Sequence, residues 1–105
     1  MAAEADAQSG GANAETYLNE VRARAYGDNS HDYTAAEGDI LDAIYLERRK
    51  ELAGEGHRFF DLVRTNKAAA AIPGFTANKN EVFPIPLIEL ELANAVTRWG
   101  QNPGY

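Results

Sequence analysis

The stretch IYLERRKELAGEGHRFFDLVR, residues 44–64, decides how this chain is read. Ile40, Leu41, Ile44, Tyr45 and Leu52 recur at helical spacing into it and mark the buried face of an amphipathic helix. Arg48 falls in line with Ile40 and Ile44, on the apolar stripe. Gly54 ends or kinks this helix. After Gly56 a second, short helix is expected, with Phe59, Phe60, Leu62 and Val63 apolar, fading near Thr65-Asn66.

The same stretch is dense in charge. Arg48 and Glu51 are three apart, as are Arg58 and Asp61, and Asp61 and Arg64. Helical spacing makes such residues neighbours, so Asp61 can serve as acceptor for two or three donors. Glu47 and Glu51, four apart, repel unless an arginine sits between them, and Arg48 is placed to supply it. Arg48, Glu51, Arg58, Asp61 and Arg64 thus form a candidate structural ion-pair network across the kink, since a buried arginine needs such partners. The competing chemical reading is an acid–base site with His57 oriented by Asp61 and Thr65 nominated as nucleophile. Ligation of a metal by His57, His31 and nearby acids fits no ligand spacing well. The structural reading is preferred; no catalytic residue, metal or cofactor is expected.

Towards the N-terminus, residues 2–8 are good helix formers, and Ser9-Gly10-Gly11 reads as their stop. Asn13 is a candidate N-cap for a helix carrying Ala14, Tyr17, Leu18, Val21 and Ala25 at apolar spacing. Glu15, Glu20, Arg22 and Arg24 fall mostly on its other faces, and Gly27 ends it. Residues 27–33 are turn formers. Thr34 to Glu37 is a capping box, expected to start the helix through Ile40 and Ile44.

Towards the C-terminus, Ile72-Pro73-Gly74 is a break. Phe83-Pro84-Ile85-Pro86 is pushed towards extended geometry by its prolines, and Pro86 can open a short helix over Leu87–Leu92. Trp99, Tyr105, Phe75 and Phe83 are expected to anchor this tail rather than to stack on a sugar or base.

Composition sets outer limits. A chain of 105 residues allows one domain at most. Of its 45% hydrophobic residues, 19 are alanine, which leaves 28 larger apolar side chains and a thin core. No cysteine is present, so disulfides, Cys-based zinc sites and thiol nucleophiles drop out. No apolar run approaches the ~20 residues of a membrane span. The net charge of −6 argues against nucleic acid as a partner. Residues 1–45 hold nine acids and two bases, so the acid excess sits there as a solvated helix surface.

Four blocks in order carry a resemblance: YLNEVRARA (17–25), the 44–64 stretch, FPIP (83–86) and QNPGY (101–105). Together they resemble the C-terminal end of SusD/RagB-family proteins. The resemblance implies an all-α fold with tetratricopeptide-like helix pairs, helical over 1–66, followed by an irregular, proline-containing tail over 67–105 with a short helix. It implies a C-terminal fragment of a surface lipoprotein of the cell outer membrane. Such a protein binds a glycan or other nutrient and delivers it to a TonB-dependent (SusC-like) transporter, without enzymatic activity. The alternative is a truncated stand-alone helical interaction module without glycan binding.

No motif position here receives the family's sugar-binding residues, so ligand-binding residues stay unassigned. Only a bracing role carries over, to Arg48, Glu51, Arg58, Asp61 and Arg64. The chain lacks the family's signal peptide and lipid-anchor cysteine, and its start at Met1 within a repeat-like helix suggests a truncation or excision. The link between Asn94 and Gln101 is longer than usual and lacks the family's common proline. Tyr17, Leu18, Ile40, Ile44 and Phe59 are expected to face helices outside this chain. The isolated chain is therefore expected to be marginal or partly molten.

Overall fold

The computed structural model describes residues 1–93 and 100–105. Their regular structure is all helical: α1 Ala2–Ser9, α2 Ala14–Tyr26, α3 Ile40–Glu51, α4 Arg58–Arg64, α5 Ala68–Ala71 and α6 Leu87–Leu92, with a 3₁₀ turn at Ala35–Glu37. The chain divides into two compact units, Met1–Gly56 and His57–Tyr105.

In the first unit, α1, α2 and α3 pack on one another. Ala3, Ala14, Leu18, Ala43 and Ile44 form the core, with Ala7, Tyr17, Tyr33 and Ile40 partly buried against it. Three of these five core residues are alanines, whose single methyl lets helix backbones approach closely. Leu18 is only 2% exposed and Ile44 only 4%. The expectation that Leu18 and Ile44 face absent helices is therefore corrected: α1, α2 and α3 already enclose them.

The ends of these helices follow local chemistry. Gly10, at φ 75°, closes α1, with the Gly11 N–H donating to the Asp6 carbonyl at 2.8 Å. The Asp6 carboxylate then accepts from the Asn13 N–H at 2.7 Å. A Cβ on Gly11 would collide with that carboxylate and displace it from the Asn13 N–H. Asn13 does precede α2 but makes no side-chain cap bond.

The start of α3 is a correction. Thr34 and Glu37 cap the 3₁₀ turn, and α3 begins at Ile40. Gly38 separates the two, and Asp39 is the N-cap, its Oδ1 accepting from the Leu41 N–H at 2.9 Å. A capping box specifies a helical first turn but not its continuation, and the glycine breaks it here.

In the second unit, α4 ends at Asn66 in left-handed conformation, φ 56°. The Lys67 N–H reaches the Leu62 carbonyl and the Asn66 N–H reaches Val63, which closes the helix as a Schellman motif. Phe59 meets Phe60 edge-on, with ring centroids 5.9 Å apart, and Phe75 at 6.3 Å. Leu62, Ala68 and Leu90 are buried. The helix after Pro86 runs from Leu87 to Leu92 as expected, while α5, in the four alanines, is an additional short helix.

Of the tail aromatics, Tyr105 hydrogen-bonds to Val82 and Phe75 packs on Phe59. Phe83 is not an anchor: it is 90% exposed, because the segment around it is held by polar bonds to its backbone. Trp99 lies outside the described residues.

Candidate functional site

The most strongly built polar site is a charge cluster in the first unit, centred on Arg22. Arg22 follows Ala14 and Leu18 at intervals of four, so α2 points it into the core stripe. It is 4% exposed. On α3, Glu47 follows Ile44 by three and is 3% exposed. Arg22 Nε donates to Glu47 Oε2 at 3.0 Å. Its Nη1 and Nη2 donate to the two Glu37 oxygens at 2.9 and 3.0 Å, a two-point grip, and Nη1 also reaches the His31 carbonyl at 3.1 Å.

Glu37 in turn accepts from the Thr34 N–H at 3.2 Å, so one carboxylate both caps the 3₁₀ turn and holds the arginine. Lys50 Nζ donates to Glu47 Oε2 at 3.2 Å. The cluster holds two cations and two carboxylates, so it buries no net charge.

The electrostatics agree with the geometry. Hydrogen bonding to Arg22, then to the Thr34 backbone, holds the Glu37 carboxyl below the usual glutamate range. The Glu37 hydrogen bond is the largest influence raising Arg22, against the opposing effect of burial. Glu47 raises Lys50. The Ser30 hydroxyl and N–H lower the nearby Asp28.

Sequence reasoning placed Arg22 among residues on other faces of its helix, and the structure corrects this. The available signal was a cation at the next step after Leu18 and a carboxylate at the next step after Ile44, on two stripes that pack together. The repulsion expected between Glu47 and Glu51 is relieved from α2: Glu47 takes Arg22, and Glu51 pairs with Arg24.

The five network residues fall in both units. Arg48 is half-buried on α3 and donates to the Met1 thioether. Arg58 opens α4 and is exposed. Asp61 accepts from Arg64 Nε at 2.8 Å. His57 is exposed, and the Thr65 hydroxyl donates to the Asp61 carbonyl at 2.7 Å, which ties it to the end of α4. The ring of His31 stacks on Tyr26 with centroids 3.9 Å apart.

Among the concavities of the first unit, two adjoin the core and the charge cluster. One is an open, mostly apolar cleft of about 190 Å³, lined by Ala3, Tyr17, Val21, Ile44 and Leu52 among others. The other, about 330 Å³, is polar, with Arg22, Tyr26, Asp32, Thr34, Glu37 and Lys50 in its wall. Among the described residues, no group of three or more His, Asp or Glu could hold a metal ion. Among the same residues, no helix is long and apolar enough to cross a membrane. The Arg22 cluster places no nucleophile beside a base; its chemistry is mutual neutralisation.

Comparison with known proteins gives this arrangement a family. Residues 1–81 match the SusD family profile. The chain is 36% identical to the SusD-like protein P25 of Formosa agariphila over an alignment covering 88% of this chain and 20% of that protein. It therefore spans about a fifth of the length of the curated relative it matches. No solved structure matches. With a family match over most of its length and an all-helical structure, the chain belongs to the SusD/RagB family, whose members are outer-membrane-associated binding proteins rather than enzymes.

Proposed function

We propose that this chain is part of a surface-exposed outer-membrane protein that captures a glycan or other nutrient and hands it to a TonB-dependent, SusC-like transporter. The observation that carries this reading is the family match over residues 1–81, joined by the FPIP and QNPGY blocks that continue the resemblance to Tyr105. The 105 residues make up the C-terminal portion of such a protein, with the sugar-binding residues lying mainly elsewhere in it.

Within that portion Arg48, Glu51, Arg58, Asp61 and Arg64 brace the last helices. The Asp61–Arg64 pair and the ordered end of α4 support a bracing role for that helix.

The test is affinity purification of the tagged parent protein from gently solubilised outer membranes. A TonB-dependent transporter should co-purify in near-equal amount, and deletion of the parent gene should slow growth on a glycan but not on its monosaccharide. Recovery of the parent protein without a transporter, together with unaltered growth on every glycan offered, would sink the reading.

A further inference from the structure

The side chains of the block QNPGY are specifically engaged. Ile85 lies between Pro84 and Pro86, neither of which has a backbone N–H, so its N–H is the lone main-chain donor of residues 84–86. Gln101 Oε1 accepts from that N–H at 2.6 Å, and Gln101 Nε2 donates to the Ile85 carbonyl at 2.7 Å. One side-chain amide thus satisfies both backbone groups of one residue, as a neighbouring strand would.

The Asn102 N–H also donates to Gln101 Oε1, at 2.9 Å, which fixes the amide's orientation. Asn102 Nδ2 donates to the Phe83 carbonyl at 2.6 Å, and the Tyr105 hydroxyl to the Val82 carbonyl at 3.1 Å. The Lys79 ammonium lies 4.8 Å from the centre of the Tyr105 ring. Gly104, at φ 84°, passes so close to Lys79 that a Cβ would lie 2.9 Å from its Cδ.

We infer that residues 101–105 are a releasable clasp: the tail occupies the backbone edge of Val82–Ile85 as its own built-in ligand and can leave it without unfolding a helix. Every bond between the two segments runs from a tail side chain to main chain. Opening therefore breaks no helix ladder. Nor does apolar burial hold Phe83 down, since it is 90% exposed. Gly100, which precedes the segment, and Gly104, within it, both have positive φ, a conformation that glycine adopts without strain. Open, the edge offers the Val82, Phe83 and Ile85 carbonyls and the Ile85 N–H to solvent. This inference goes beyond nutrient binding and does not depend on it.

Amide hydrogen exchange on the full 105-residue chain tests it, with Leu62 in α4 as internal reference. Ile85 should be protected, and Gln101→Ala should speed its exchange at least about tenfold while Leu62 changes less than about twofold. Gln101→Glu, which keeps an acceptor facing the Ile85 N–H, should speed it less. Low urea should accelerate Leu62 but leave Ile85 unchanged, the mark of local opening.

An unprotected Ile85 in the unaltered chain, an unchanged rate in Gln101→Ala, or urea dependence matching that of Leu62 would each overturn the clasp. Should Gln101→Ala unfold the chain, the urea series on the unaltered protein decides alone.

Discussion

The two units of this chain reach order by opposite means. The first, Met1–Gly56, buries Leu18 and Ile44 among three alanines and places a paired charge cluster beside them. The second, His57–Tyr105, is richer in large apolar residues yet leaves many of them in solvent. Of the eleven large hydrophobics exposed among the described residues, eight belong to it, including Phe60, Phe83, Leu87, Ile88 and Leu92. What orders its tail is hydrogen bonding to main chain around prolines. Apolar content therefore does not say where packing is. Packing follows from whether helices are long enough to present a continuous stripe, and α2 and α3, at 13 and 12 residues, are the two longest helices among the described residues.

The sharpest way to break this contrast is Arg22→Ala. It leaves the buried Glu47 carboxylate without its principal partner and frees Glu37, and should destabilise the first unit by about 3–5 kcal/mol. Loss of helical circular dichroism at lower urea would show it; a cost under about 1 kcal/mol would mean that the cluster is solvated.

Acid should act on the same place. The folded Glu37 carboxyl titrates below its ordinary range. Its contribution is complete above the unfolded glutamate value of about 4.3 and is lost as pH falls through the lower folded value. Glu37→Gln should flatten that part of the stability-versus-pH curve. An unchanged acid limb would remove Glu37 from the account.

A smaller effect is expected in the second unit. Asn66→Ala puts a Cβ-bearing residue without a compensating polar group into left-handed backbone, and should cost about 1 kcal/mol. Asn66→Gly should be neutral or stabilising. Equal effects of the two would show that the helix end does not depend on that conformation.

Arg24→Ala should matter least. Its partner Glu51 is partly exposed and Arg24 largely so, which limits the pair to about 0–1 kcal/mol. A loss as large as that of Arg22→Ala would erase the distinction between buried and surface charge.

Much of the helix plan was legible in the sequence because its signals are local. The stop at Gly10, the end at Gly27, the short helix fading at Thr65-Asn66 and the helix after Pro86 all follow from residues within a turn of the feature itself. The Arg22 cluster was not, because its parts lie 15 and 25 residues apart and periodicity along one helix does not report them. The start of α3 was misplaced for a related reason. Thr34 and Asp39 both offer valid caps, and only Gly38 between them decides which one the long helix uses. The exposure of Phe83 also escaped sequence reading, since nothing in FPIP distinguishes an anchor from a side chain held outward by bonds to its neighbours.

The alanines at the centre of the first unit carry a thermal consequence. Unfolding raises heat capacity in proportion to the apolar area newly wetted, about 12–15 cal/mol/K per residue for an average domain. A core in which Ala3, Ala14 and Ala43 stand where larger residues usually do exposes less such area when it opens. Its increment should fall below that average, and its stability curve should be broad and shallow rather than steeply domed. A unit of this kind has little stability to lose on cooling, and its denaturant dependence is correspondingly gentle.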